Sequence, residues 1–184
     1  NYNTALGYGA LTTDTLGSRA VAIGREALQN QNFTSATNAY NVAVGFNAGL
    51  QVTTGVQNTL VGPLSGDSIT TGQRNVGLGF GTMTNQTTVD NNTAVGYYAL
   101  QANVAGSRNT AIGAQALYNM TQASATNTYN TAVGYAAGYA ITSGYQNTLV
   151  GADSGANITT GLYTTAMGYG SVSQLTTGSH NVAI

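Results

Sequence analysis

Apolar and polar positions along the chain repeat one short unit: Asn, a Thr or Val, a small residue, a larger aliphatic, then Gly. The copies are Asn3-Thr-Ala-Leu-Gly7, Ala20-Val-Ala-Ile-Gly24, Asn41-Val-Ala-Val-Gly45, Asn58-Thr-Leu-Val-Gly62, Asn75-Val-Gly-Leu-Gly79 and Asn92-Thr-Ala-Val-Gly96. They continue as Asn109-Thr-Ala-Ile-Gly113, Asn130-Thr-Ala-Val-Gly134, Asn147-Thr-Leu-Val-Gly151, Thr164-Thr-Ala-Met-Gly168 and Asn181-Val-Ala-Ile184. Spacings between successive motif glycines are 17, 21, 17, 17, 17, 17, 21, 17 and 17 residues. Five motifs therefore make a larger period of 89, and the blocks 1–89 and 90–178 are identical at 45 of 89 aligned positions. Exceptions recur on that period too, since Leu60 and Leu149 both replace the usual Ala. The chain reads as one continuous repeat segment, two duplicated blocks and the start of a third, expected to be part of a longer fibre protein.

A 17-residue unit is too short for a strand-plus-helix repeat and has no helical periodicity. It fits one coil of a parallel β-solenoid, so the predicted fold is all-β, a β-roll. Side chains alternate across a strand, which sets Thr or Val with the large aliphatic on one face and Ala, Leu or Gly on the other. Both faces are apolar. One can fill the coil interior; the other needs a partner, and small side chains there would admit a neighbouring copy closely.

Aromatics often follow the motif glycine (Tyr8, Phe46, Phe80, Tyr97, Tyr135, Tyr169), then a small residue and an apolar one, as in Ala27-Leu28, which reads as a second short strand. The motif glycines Gly7, Gly24, Gly45, Gly62, Gly79, Gly96, Gly113, Gly134, Gly151 and Gly168 are read as turn residues. Seven residues before a motif glycine another Gly is usual (Gly17, Gly55, Gly72, Gly106, Gly144, Gly161), and a turn with positive φ is expected there. Asn38 and Asn127 take that place in the two long coils, while Val89 departs from the rule unless the turn shifts onto Asp90-Asn91. Asn3, Asn41, Asn58, Asn75, Asn92, Asn109, Asn130, Asn147 and Asn181 open their motifs and are expected to stack into an amide ladder. With coils about 4.8 Å apart, the rod would be on the order of 50 Å long.

Composition narrows the function classes. Only 5% of residues are charged, Lys is absent and the net charge is −1, so nothing favours nucleic acid or an anionic membrane surface. No apolar run is long enough to span a bilayer, and no signal-peptide pattern is present. Cys is absent, which excludes disulfides and thiolate metal sites.

At this point Asn92-Thr-Ala-Val-Gly-Tyr-Tyr-Ala-Leu100 and Thr53-Thr-Gly-Val-Gln-Asn-Thr-Leu-Val-Gly62 resemble repeats of phage tail-fibre and related bacterial surface proteins. Ala20-Val-Ala-Ile-Gly24 is similar to the head repeats of trimeric autotransporter adhesins. The resemblance covers essentially the whole chain. It implies a left-handed parallel β-roll, three chains side by side, and exposure outside a cell or virion for attachment. The coils are longer than those of the usual adhesin head, and no coiled-coil heptads, membrane anchor or self-cleaving chaperone domain is recognisable. A viral fibre, an anchored adhesin and a free filament all stay open as the parent.

Candidate chemistry is sparse. His180 is the sole His, in a Gly178-Ser-His-Asn181 turn, and the acids Asp14, Glu26, Asp67, Asp90 and Asp153 occupy different coil positions, so neither a triad nor a glycosidase pair is expected. No catalytic residue, metal or cofactor is expected. Gly77-Leu-Gly79-Phe-Gly81 lies within the repeat register and lacks the helix a phosphate-binding loop needs. The long coils insert residues around Gln31, Asn32, Phe33, Thr34, Ser35 and around Met120, Thr121, Gln122, Ala123, Ser124. These are either loops retained through duplication or projecting binding loops. The aromatics after the glycine either pack between coils or chains or offer stacking faces to sugars. The expected partners are further copies of the chain, as a homotrimer or end to end, and a host-surface glycan or protein receptor. Ice binding through the Thr column is a further alternative, broken by Val21, Val42, Val76 and Val182.

Overall fold

The computed structural model describes residues 2–121 and 126–184. They form a parallel β-solenoid with no helix among the described residues, its coils carrying the predicted period. Each motif supplies one short strand, from Thr4–Leu6 through Val21–Ile23 and Val42–Val44 to Thr165–Met167 and Val182–Ala183, and these stack in chain order into one sheet of 11 strands. Register is strict: Thr4 pairs with Val21, Ala5 with Ala22 and Leu6 with Ile23, and equivalent pairs continue up the sheet. Two small sheets, Gly17–Ser18 with Thr37–Asn38 and Gly106–Ser107 with Thr126–Asn127, mark where the 21-residue coils rejoin the period.

The small-residue strand face turns inward, which corrects the expectation that it would admit a second copy. Ala22, Ala43, Ala94, Ala111, Ala132 and Ala166 are fully buried, whereas Leu78, Ile112 and Met167 on the opposite face are 39–47% exposed. The reason is width. Interior space opposite the strand is already taken by residues four after the motif glycine (Leu28, Met83, Leu100, Leu117) and seven after it (Val52, Ile69, Met120, Ile141, Ile158), leaving room only for a methyl group.

The recurring Leu exceptions follow from the same constraint. Leu60 lies between Gly49 and Gly66, and Leu149 between Gly138 and Gly155, where other coils carry a larger residue at one or both of those places. A Cβ on Gly66 would come within 2.7 Å of Leu60 Cδ2, and one on Gly155 within 2.8 Å of Leu149 Cδ2. The large side chain has changed walls while the filled volume stays nearly constant.

The segment after the motif glycine is a chain of tight turns and not the second strand expected from Ala-Leu. In the second coil Ala27 N donates to Gly24 O, Gln29 N to Glu26 O and Gln31 N to Leu28 O, and Gly24, Glu26 and Leu28 have φ of 128°, 57° and 48°. The alternation recurs in other coils, for example at Gly96, Tyr98 and Leu100. Left-handed Leu costs about 1–2 kcal/mol in isolation. Burial of its side chain and the amide bond to the next coil, Leu28 N to Ala48 O at 3.1 Å, offset that cost.

Motif glycines do need their conformation. Gly62 has φ of 129°, and a Cβ there would lie 2.4 Å from the carbonyl oxygen of Gly79 in the next coil. The glycines seven residues upstream do not: Gly55, Gly72, Gly144 and Gly161 lack positive φ, as do Asn38 and Asn127, which corrects the turn expected there. They are small because the next coil's carbonyl passes close by, such as Gly72 O, 2.4 Å from a Cβ on Gly55. The positive φ falls instead on the residue before the motif Asn, including Gln57 at 60° and Asn91 at 59°. Val89 is thus no anomaly but a buried β-branched residue whose φ is not positive. Val89→Gly is accordingly expected to destabilise the chain by about 2 kcal/mol in denaturant titration. A stabilised variant would mean that a left-handed turn is strained there.

Candidate functional site

The motif asparagines form a buried column. Asn58 N donates to Asn41 Oδ1 at 2.9 Å, Asn75 N to Asn58 Oδ1 at 3.0 Å and Asn92 N to Asn75 Oδ1 at 3.0 Å, and Asn109, Asn130 and Asn147 continue the series. The side-chain NH₂ groups of Asn41, Asn58, Asn75, Asn92, Asn130 and Asn147 also reach a carbonyl fourteen residues ahead, as from Asn58 to Gly72 at 2.8 Å and from Asn147 to Gly161 at 2.8 Å. Amide-to-amide contacts such as Asn75 Nδ2 to Asn58 Oδ1 at 3.1 Å add to these. Asn3 makes the bonds to Ala20 N and Gly17 O, while the Asn181 NH₂ has no partner among the described residues. Asn therefore closes its own coil onto the next through backbone groups, and the column is architectural.

The inserted segments divide in two. Gln31 and Met120 are fully buried and Phe33 is 6% exposed, so these three are interior packing and not projecting loop. They lie where the coil needs core: Gln31 Oε1 accepts from Asn41 Nδ2 at 2.8 Å and its amide reaches Asp14 Oδ2 at 3.3 Å. Asn32, Thr34, Ser35 and Thr121 are exposed. Gln122, Ala123 and Ser124 lie outside the described residues.

Along the outer face of the sheet the Thr/Val column and the large-aliphatic column run side by side, with no charged residue in either. The aromatics after the glycine line one border and are solvent-accessible, from Phe80 at 38% to Tyr169 at 83%, with Phe80 and Tyr97 stacked at 5.8 Å between ring centres. On another edge the residues preceding the motif Asn form a ridge of cations and rings. Arg19 Nη1 donates to the Tyr40 hydroxyl at 2.8 Å and its guanidinium lies over that ring, Arg108 lies over Tyr129, and His180 stacks on Tyr163 at 4.8 Å.

Titratable groups are spread out. Among the described residues no three of His, Cys, Asp and Glu come together as a metal site. Burial pushes the Asp67 carboxyl above its usual range, against hydrogen bonds from Ser68 that lower it. The Tyr163 phenol is raised by its hydrogen bond and charge interaction with Tyr145, and Tyr98 by desolvation and then by Tyr97.

A groove of about 310 Å³ lies on the turn edge of the second block, between three successive coils. Tyr135, Tyr139, Gln115, Asp153 and Asn157 line it together with the small residues Ala136 and Ala156. Tyr135 is one of the aromatics singled out in the sequence. The others had no motif to announce them, because they meet only when coils 17 or 21 residues apart are stacked. No family model, curated protein or solved structure matches the chain.

Proposed function

We propose that the chain is a non-catalytic structural module of an extracellular attachment fibre, a stiff rod that associates side by side as a homotrimer. The observation that carries this reading is the outer face of the long sheet. Its two columns expose Val76, Leu78, Ile112 and Met167 along the rod without one interrupting charge. From coil spacing and strand length the strip is on the order of 50 Å by 13 Å, at the upper end of what a soluble monomer leaves uncovered. Interior packing is complete without it, so another chain is the natural cover. The repeat's resemblance to tail-fibre and adhesin sequences supplies the attachment role and the number three.

The mechanical part needs no reacting group. Each coil is bonded to the next by backbone amides at the strand, at the turns and at the Asn column, as in Gly24 N to Leu6 O at 2.8 Å and Thr59 N to Asn75 O at 2.8 Å. A lateral load is shared by all these ladders at once. Light scattering on the 184-residue chain is expected to give three times the mass of one chain. Ile112→Glu, which places a carboxylate on the strip, is expected to give single chains with the coil spectrum intact. A single-chain mass for the unmodified protein would sink the reading.

A further inference from the structure

The groove on the second block is not dictated by the solenoid. Leu50, Leu64 and Asp67 stand in the first block where Tyr139, Asp153 and Ala156 stand in the second, and all seven lining positions differ although 45 of 89 aligned positions are identical. The backbone is nonetheless the same: Leu64 and Asp153 share φ of 59° and 56°. One framework therefore carries Glu26, Phe46, Leu50, Leu64 and Asp67 along this edge in one block and a groove with two tyrosines and a single carboxylate in the other.

The groups in the groove suit one ligand chemistry. Tyr139 is held by a parallel stack on Tyr118, ring centres 5.1 Å apart and planes 8° apart, so its ring is a fixed wall. Tyr135 presents a second ring, 56% exposed. Gln115, Asp153 and Asn157 supply planar amide and carboxylate groups, and Asn157 Nδ2 is already committed to Ser173 O, which fixes its amide. Ala136 and Ala156 add only methyl groups to the lining. The sole charge is the Asp153 carboxylate, with no Arg, Lys or His in the lining to receive a phosphate, sulfate or sialic carboxylate. Rings that accept an aliphatic C–H face, beside planar groups that accept hydroxyl protons, match a neutral sugar ring.

We propose that this groove binds a neutral saccharide, a hexose ring lying against Tyr135 or Tyr139 with its hydroxyls donating to Asp153 and Asn157. The proposal rests on the attachment reading above and names the class of receptor it would hold. The test is a saturation-transfer NMR and calorimetric titration of the 184-residue chain with lactose, N,N′-diacetylchitobiose, maltotriose and 3′-sialyllactose, with the mass measured on the same samples. At least one neutral sugar is expected to bind saturably and more tightly than sialyllactose. Tyr139→Leu and Asp153→Asn are each expected to weaken it about tenfold, roughly 1.4 kcal/mol. Tyr139→Leu installs the side chain that the first block already carries at Leu50, so folding is preserved, and Leu50→Ala serves as the distant control. No saturable neutral sugar, undiminished binding by both variants, or preference for sialyllactose overturns the proposal. Trimer mass without sugar binding removes the groove alone, whereas binding by a single-chain species removes the trimer and keeps the groove.

Discussion

Leu60→Ala lowers the unfolding free energy by about 3–5 kcal/mol, and a further Gly66→Leu restores more than half of it. Leu60 is fully buried, and the glycines at 49 and 66 leave no neighbour able to fill the space it vacates. Gly66 has φ of 59°, and Leu28, Leu100 and Leu117 sit at the equivalent place with φ of 48–55°, so the framework accepts Leu there. The double variant reproduces the Ala-plus-Leu arrangement of the ordinary coils. Urea denaturation followed by circular dichroism gives the coupling energy directly. If Gly66→Leu deepened the loss, the exchange of volume between the two walls would be wrong.

Asn75→Ala is expected to cost a similar amount, about 3–5 kcal/mol, for a polar reason. Asn75 Oδ1 accepts from Asn92 N, and its NH₂ donates to Val89 O at 2.8 Å and Asn58 Oδ1 at 3.1 Å. Truncation leaves a backbone donor and acceptor buried without partners, each worth about 1–3 kcal/mol. Asn75→Asp separates the two bonds. Its carboxylate still accepts from Asn92 N but faces the Val89 carbonyl with no proton. Burial raises the folded pKa of such a carboxyl above its unfolded value, so stability should increase as pH falls through the folded pKa. Amide exchange at Asn92 is the local readout. Protection unchanged in Asn75→Ala would show that the backbone alone closes the coil.

Period, parallel stacking, the motif glycines' conformation and the sites of insertion were legible because each recurs in register along the chain. The orientation of the strand was not. Alternation divides Ala22 from Ile23 but does not say which side is narrow, and that depends on Leu28 and Ile69, which reach the interior from other walls. Ala27-Leu28 imitated a strand because apolar pairs carry no mark of handedness, and Leu at φ near +50° is rare enough that no propensity suggests it. Glycine at 55 and 72 looked like a turn because close approach of a neighbouring carbonyl and positive φ both select Gly. Only stacked coils tell them apart. The groove was hidden for a related reason: Gln115, Tyr139 and Asp153 are remote in sequence and share no spacing with the motif.

The column of motif glycines also sets how such a molecule can change. Carbonyls in that column sit where the preceding coil's Cβ would be, from Gly24 against Gly7 to Gly168 against Gly151, so one altered coil would misplace the coil stacked on it. Residues can be added at a corner, as the long coils do at Phe33, because the surplus leaves the column untouched. Length can otherwise grow only in whole coils. Duplicating a five-coil block extends the rod by about 24 Å while every existing contact is copied unchanged. Reach is therefore a counted quantity in this molecule, adjusted in discrete steps of whole coils, while point substitution is left to decorate the edges.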